Sequence, residues 1–184
     1  VNKMESSNDH GGVKDRNQRL ATSLNDPAHT SAVEQIVAEM KEAERLVELA
    51  QRIATDAHRG QVDKAGNPYI GHPERVVGAV DEHYAAAAAW LHDVAEDTPV
   101  SIESLRQMFP AIVIDAVEAL TRQTDELPSA YYARVRANPI ALEVKLADIA
   151  DNCDPTRLAM LDVATQVRLR EKYQSALAQL TGEG

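Results

Sequence analysis

One cysteine, one phenylalanine and one tryptophan are spread over 184 residues, with eight glycines and eight prolines. A lone thiol, Cys153, excludes an internal disulfide and, with no second Cys beside it, gives no sign of a thiolate zinc site. Scarce aromatics and the lack of any β-branched run of useful length exclude a sheet protein, while abundant Ala and Leu favour helices. No apolar run reaches the length of a membrane span or follows a charged leader, so the expected setting is cytoplasmic, with no membrane partner. Basic residues are in deficit, 19 against 29 acidic ones, for a formal net charge of -10. Such a surface cannot displace counterions from a phosphate backbone, which excludes general nucleic-acid binding. A small anionic substrate would need a local cationic pocket instead.

What is present is helical periodicity after a polar start. Residues 1–30 form the expected flexible tail, rich in Asn, Ser, Gly and Asp without apolar spacing, and 31–184 form one domain large enough for a core. Ser31-Ala-Val-Glu34 has the pattern of a capping box, and Val33, Val37, Met40, Val47, Ala50, Ala54 and Ala57 follow at helical spacing, predicting a long helix ending near Gly60. Turn residues fill Gln61 to Tyr69. Pro73 then opens a helix carrying Val76, Val77 and Val80. A further helix is expected from Ala85 to Asp97, stopping before Pro99. Short helices are expected from the Ser101 cap to Phe109 and from Pro110 to Leu120, then from Ser129 to Ala137, Pro139 to Cys153 and Ala164 to Leu180. The fold class is therefore all-α, a helical bundle.

Chemistry concentrates at the polar end of the Ala-rich stretch. His92 and Asp93 suit a divalent metal, and on one continuous helix His92 lies above Glu96 and Asp93 above Asp97. Asp148 and Asn152 are likewise four apart, with Lys145 three before Asp148 on the same face. Each set could be a mere solvated face, but the residues between them are small or apolar: Ala89, Trp90, Leu91, Val94 and Ala95 around the pair, Val144, Leu146, Ala147, Ile149 and Ala150 around Asp148. Buried carboxylates need partners, and a shared cation is one. Lys145 has two readings, a phosphate ligand or a structural ion pair with Asp148 or Asp151. His58, near the end of the first helix, reads as a structural or supporting histidine, and His83 as an exposed one.

These residues also resemble a known family. His72-Pro73, His92-Asp93, Glu96-Asp97-Thr98 and Lys145-Leu-Ala-Asp148 with Asn152, together with Ala57-His58-Arg-Gly-Gln61 and Gly66-Asn-Pro-Tyr-Ile-Gly-His72-Pro, are similar to the motifs of HD-domain metallophosphohydrolases, in the same order from about Ala50 to Leu180. The likeness is nearest to the hydrolase domain of the stringent-response synthetase/hydrolases and to small alarmone hydrolases. It implies an HD-type bundle in which His72, His92, Asp93 and Asp148 hold one manganese ion. It further implies that Glu96 and Asp97 place or activate the attacking water and that Asn152 contacts the nucleotide.

Two imidazoles and two carboxylates suit manganese, iron or zinc alike. With the carboxylates accepting a proton and cations such as Lys64 offsetting phosphoryl charge, the chemistry is hydrolysis at phosphorus. Two departures bear on the substrate: Asp63-Lys64 stands where the long enzymes carry a basic pair, and Cys153-Asp-Pro-Thr-Arg157 follows Asn152 where they carry a Met-Arg-Thr segment. The resulting expectation is removal of the 3′-pyrophosphate from guanosine tetra- and pentaphosphate. The alternatives are an HD-type phosphohydrolase for another nucleotide and a nucleotide-binding module without turnover.

Overall fold

The computed structural model describes residues 27–182 and contains, among them, no strand, only an isolated bridge between Val62 and Pro68. Residues 1–26, including His10, lie outside the described residues. The chain divides at Glu42/Ala43 into two compact units, and helix α1, Pro27–Ala57, starts in the first. Ser31 sits inside this helix instead of capping it; Pro27, whose fixed φ and missing N–H suit a first turn, begins it four residues earlier. Val33, Val37 and Met40 are exposed. In the second unit Leu46, Ala50 and Ala54 are buried, and α1 ends at Ala57, ahead of Gly60 with its φ of +80°.

The second unit is built around two helices, α3 (His83–Leu91) and α8 (Pro139–Asn152). Around them lie α2 (Gly71–Val77), α4 (Val94–Asp97), α5 (Ile102–Arg106), α6 (Ala111–Leu120), α7 (Pro128–Ala137), α9 (Pro155–Leu158) and α10 (Val163–Thr181). Helix α8 packs on α2, α3, α6, α7 and α10. Ala85, Ala87, Ala88 and Ala89 of α3 are all fully buried, and such short side chains let the neighbouring helices approach closely. Polar caps set the starts: Ser101 accepts from Ser104 N–H, Asn138 from Ala141 N–H and Asp162 from Thr165 N–H. His83 opens α3, so it stands at a helix start and not at a helix end.

The expected helical pattern also breaks at the stretch with the chemistry. The expected helix from Ala85 to Asp97 is two, because α3 stops at Leu91 and α4 begins at Val94. His92 Nδ1 donates to Ala89 O at 2.7 Å, a carbonyl that an unbroken helix would offer to the backbone N–H of Asp93. Asp93 takes φ -104° and ψ -6° at the break. The break falls at the pair His92-Asp93, ahead of the pair Glu96-Asp97, with Asp97 N–H still bonded to Asp93 O at 2.9 Å.

Candidate metal centre and its cavity

His92 and Asp93 occupy the α3–α4 break, His72 the first turn of α2 and Asp148 the last turns of α8, so three separate backbone segments meet at one point. His72 Nε2 lies 3.1 Å from Asp148 Oδ1 and 3.8 Å from Asp93 Oδ2; His92 Nε2 lies 3.0 Å from Asp93 Oδ2 and 4.0 Å from Asp148 Oδ1. Ligands about 2.0–2.2 Å from a shared ion stand roughly 3–4 Å from one another, and these spacings fall in that range. His72, His92 and Asp148 are buried and converge as a group able to hold a divalent metal.

The histidines are oriented by their other ring nitrogens. A carbonyl can only accept, so His92 Nδ1 carries the proton toward Ala89 O. His72 Nδ1 faces the Asp151 carboxylate at 2.6 Å and carries its proton there. Both Nε2 lone pairs are thereby directed inward, and His92 Nε2 is buried with no hydrogen-bond partner among the described residues. Asp148 is held by Lys145 Nζ at 2.7 Å and Asn152 Nδ2 at 2.6 Å, and Asp93 Oδ2 accepts from the Tyr69 hydroxyl. The Tyr69 ring lies 4.8 Å from that of His58, itself buried and bonded through Nδ1 to Gln61 Oε1.

Without an ion, protons balance the carboxylates. Burial disfavours the charged His72 ring, but hydrogen bonds to Asp148 and Asp151 overcome it and raise its pKa to about 9. Burial opposes charge on Asp93 and Asp148 too, yet the adjacent His92 and Lys145 charges respectively hold these carboxyls well below the usual range. A metal would take the place of the imidazole protons.

The centre opens into a cavity of about 290 Å³. Lys64, Arg122, Lys145, Arg157 and Lys172 all line it, a concentration of positive charge in a chain that is acidic overall. Burial and the nearby charges of Lys145 and Lys64 lower the Lys172 pKa. Four of the five tyrosines, Tyr69, Tyr131, Tyr132 and Tyr173, also line it, and the Arg122 guanidinium sits 4.1 Å from the Tyr131 ring centroid.

The remaining sequence-based candidates are placed as follows. Glu96 lines the cavity and accepts from Arg122 N–H at 3.0 Å, whereas Asp97 lies off the lining, with its pKa raised by burial and by the charges of Asp93 and Glu96. Lys64, Lys145 and Asn152 line the cavity, the last two bonded to Asp148. For Lys145 the ion-pair reading holds with Asp148 as partner. Asp63 does not project a free charge: its Oδ1 accepts from the N–H groups of Ala65 and Asn67, both at 2.9 Å, and its Oδ2 lies 3.6 Å from Arg157. The two departures noted in the sequence thus face each other. Asp154 caps α9 through Arg157 N–H and so sets Arg157 against Asp63. Sequence reasoning missed Tyr69, Arg122 and Lys172 as site residues and named Asp151 only as a possible partner of Lys145; Tyr69 and Asp151 lie inside segments it had singled out.

Residues 50–139 match the HD-domain family. This stretch is similar to an HD domain. It contains His72, His92 and Asp93, and Asp148 follows nine residues beyond it. Over 74 residues the chain is 43% identical to the guanosine-3′,5′-bis(diphosphate) 3′-pyrophosphohydrolase of Haemophilus influenzae, an alignment covering 38% of this chain and 11% of that protein. It is 39% identical over 77 residues to the bifunctional (p)ppGpp synthase/hydrolase SpoT of Escherichia coli K12, covering 40% and 11%. The chain thus matches only about a tenth of the length of these relatives. A solved structure described as a metazoan ortholog of SpoT that hydrolyses ppGpp superposes with a TM-score of 0.62 at 22% identity, over 74% of this chain and 86% of that one, so the all-α HD fold is shared.

Proposed function

We propose that this protein is a manganese-dependent pyrophosphohydrolase that removes the 3′-pyrophosphate from guanosine tetra- and pentaphosphate, leaving GDP or GTP. The observation that carries the reading is the convergence of four metal donors at the wall of a cation-lined cavity, in a chain homologous to proteins named for that reaction. His72, His92, Asp93 and Asp148 would hold the ion; iron or zinc would fit the same donors. When bound, the ion lowers the pKa of a water toward neutrality and polarises a phosphoryl oxygen.

The chain's own groups supply the rest. Glu96 is fixed by Arg122 N–H through one oxygen, which leaves the other to take the proton of the attacking water. Asp97 is the second carboxylate, next to Glu96 in sequence and set off the cavity lining. Lys64 and Lys172 offset charge on the phosphoryl oxygens as the bond from phosphorus to the ribose 3′-oxygen breaks, and that oxygen takes up a proton as pyrophosphate leaves. Asn152 acts at the nucleotide side and, through Asp148, at the ion.

The Asp63 charge, paired with Arg157, presents no bar to an anionic nucleotide. No helix among the described residues is long and apolar enough to cross a membrane. We place the enzyme in the cytoplasm, where nucleotide pools reside and a lone thiol stays reduced.

The test is anion-exchange product analysis after incubating the manganese-loaded protein with guanosine tetraphosphate and, separately, a panel of nucleoside di- and triphosphates, with Asp93→Ala as the control. GDP and pyrophosphate from the alarmone alone are the expected products. An untouched alarmone with another nucleotide consumed would move the substrate elsewhere, and turnover of none would leave a binding module. Repeating the assay with iron and zinc decides the metal.

A further inference from the structure

Asp151 belongs to no ligand set considered above, yet it makes the shortest of the three carboxylate contacts to His72. Helix α8 presents Asp148 and Asp151 one turn apart, and the His72 ring lies between them: Nε2 is 3.1 Å from Asp148 Oδ1 and Nδ1 is 2.6 Å from Asp151 Oδ2. One helix therefore grips both nitrogens of the same imidazole. Asp151 is itself fixed, with its side chain 8% exposed, by Arg75 Nε at 2.5 Å and Nη2 at 3.3 Å. Arg157 Nη1 stands 3.6 Å away on the opposite side. Because Arg75 follows His72 by one helical turn, α2 supplies both the ring and the clamp on the carboxylate that orients it.

From this geometry we infer that Asp151 is a positioning residue for the metal centre: it fixes the His72 ring with Nδ1 protonated and Nε2 turned to the ion, and Arg75 and Arg157 hold its carboxylate in place. A carboxylate behind a ligating imidazole raises its basicity as well as fixing its tautomer. The other histidine has only a backbone carbonyl behind it, Ala89 O, so the two imidazoles are unequal and His72 is the stronger donor. Through Arg157 the same carboxylate is joined to Asp63 in the turn of residues 62–68, which ties one wall of the cavity to a ligand of the ion.

The inference rests on the metal site proposed above but not on its substrate, so the readout is metal affinity in the absence of nucleotide. The full chain, stripped with a chelator, is titrated with Mn²⁺ by calorimetry as wild type, Asp151→Asn and Asp151→Ala, and each is melted in chelator to report its fold. Asp151→Asn keeps the volume and an accepting oxygen while losing the charge; Asp151→Ala loses both. The expected result is roughly 10- to 100-fold weaker Mn²⁺ binding by the alanine variant, with the asparagine variant in between.

A merely structural role would lower the melting temperature in chelator and leave the Mn²⁺ affinity of the folded protein unchanged. Wild-type affinity in folded Asp151→Asn overturns the inference even if Asp151→Ala fails to fold. A wild-type protein that binds no Mn²⁺ overturns the metal site and this inference together. Tight Mn²⁺ binding without alarmone turnover, weakened in Asp151→Asn, overturns the substrate reading and upholds this one.

Discussion

Separating Lys145 from Asp148 tests whether the centre is an electrostatic unit. The pair is 2.7 Å apart with side chains 18% and 7% exposed, and Asp148 also meets His72 and Asn152. In metal-free protein, Asp148→Ala strands a buried ammonium and removes the carboxylate that meets Asn152 Nδ2 and His72 Nε2. Removal of one partner from a buried pair costs about 3–5 kcal/mol, and the residual access of Lys145 to the cavity places this case near 3 kcal/mol. Lys145→Met keeps the packing of the stem and leaves Asp148 two donors, so it costs about 1.5 kcal/mol.

The double variant has no stranded ammonium and should cost about 3 kcal/mol, not the additive 4.5, a coupling of about 1.5 kcal/mol. Urea unfolding of the four proteins in chelator measures it. With Mn²⁺ at a thousandfold over its dissociation constant, wild type gains about 4 kcal/mol while both Asp148 variants gain nothing. Additivity within about 0.5 kcal/mol would refute the ion pair as a unit.

Asp93→Ala is expected to abolish both Mn²⁺ retention and hydrolysis, checked by metal analysis after gel filtration and by product chromatography; full metal and activity in this variant would dismiss the site. Glu96→Gln should leave Mn²⁺ affinity unchanged and reduce kcat by roughly 10²- to 10⁴-fold, because it removes the proton acceptor and no ligand. Stability of the metal-free protein should fall with rising pH. The His72 pKa is about 9 folded against 6.5 for the free side chain, so its contribution of about 3 kcal/mol is fully present below pH 6.5 and is lost as pH rises through 9. Urea midpoints in chelator at pH 6 and pH 9.5 measure this change, and a midpoint that rises across the window would contradict it.

The sequence was most legible where one residue type serves one purpose. Apolar spacing marked the helices, and Pro110, Pro139 and the Ser101 cap set starts the structure reproduces within a residue or two. The candidate donors were legible through motifs; the structure brings His72, His92 and Asp148 into one group able to hold a metal, with Asp93 3.0 Å from His92. Local spacing failed at His92, where a side chain competes with the backbone for Ala89 O, a contest that helical periodicity does not encode. Glu96 and Asp97, neighbours about 100° apart on a helix, end up respectively on and off the cavity wall.

The residues that sequence reading missed share a different cause, distance along the chain. Asp151 meets His72 across 79 positions and Arg157 meets Asp63 across almost a hundred, so neither contact has a local signature. Read alone, Asp63 looked like a reversed charge in the substrate's path. Placed beside Arg157 it becomes half of an ion pair, and the Asp154-Pro155 cap that first looked like a second departure is what positions the other half. The two departures that bear on the substrate therefore offset one another in charge. The Asp63 carboxylate and the Arg157 guanidinium should accordingly be lost together or kept together, with Asp63→Ala alone leaving Arg157 free to pair more closely with Asp151.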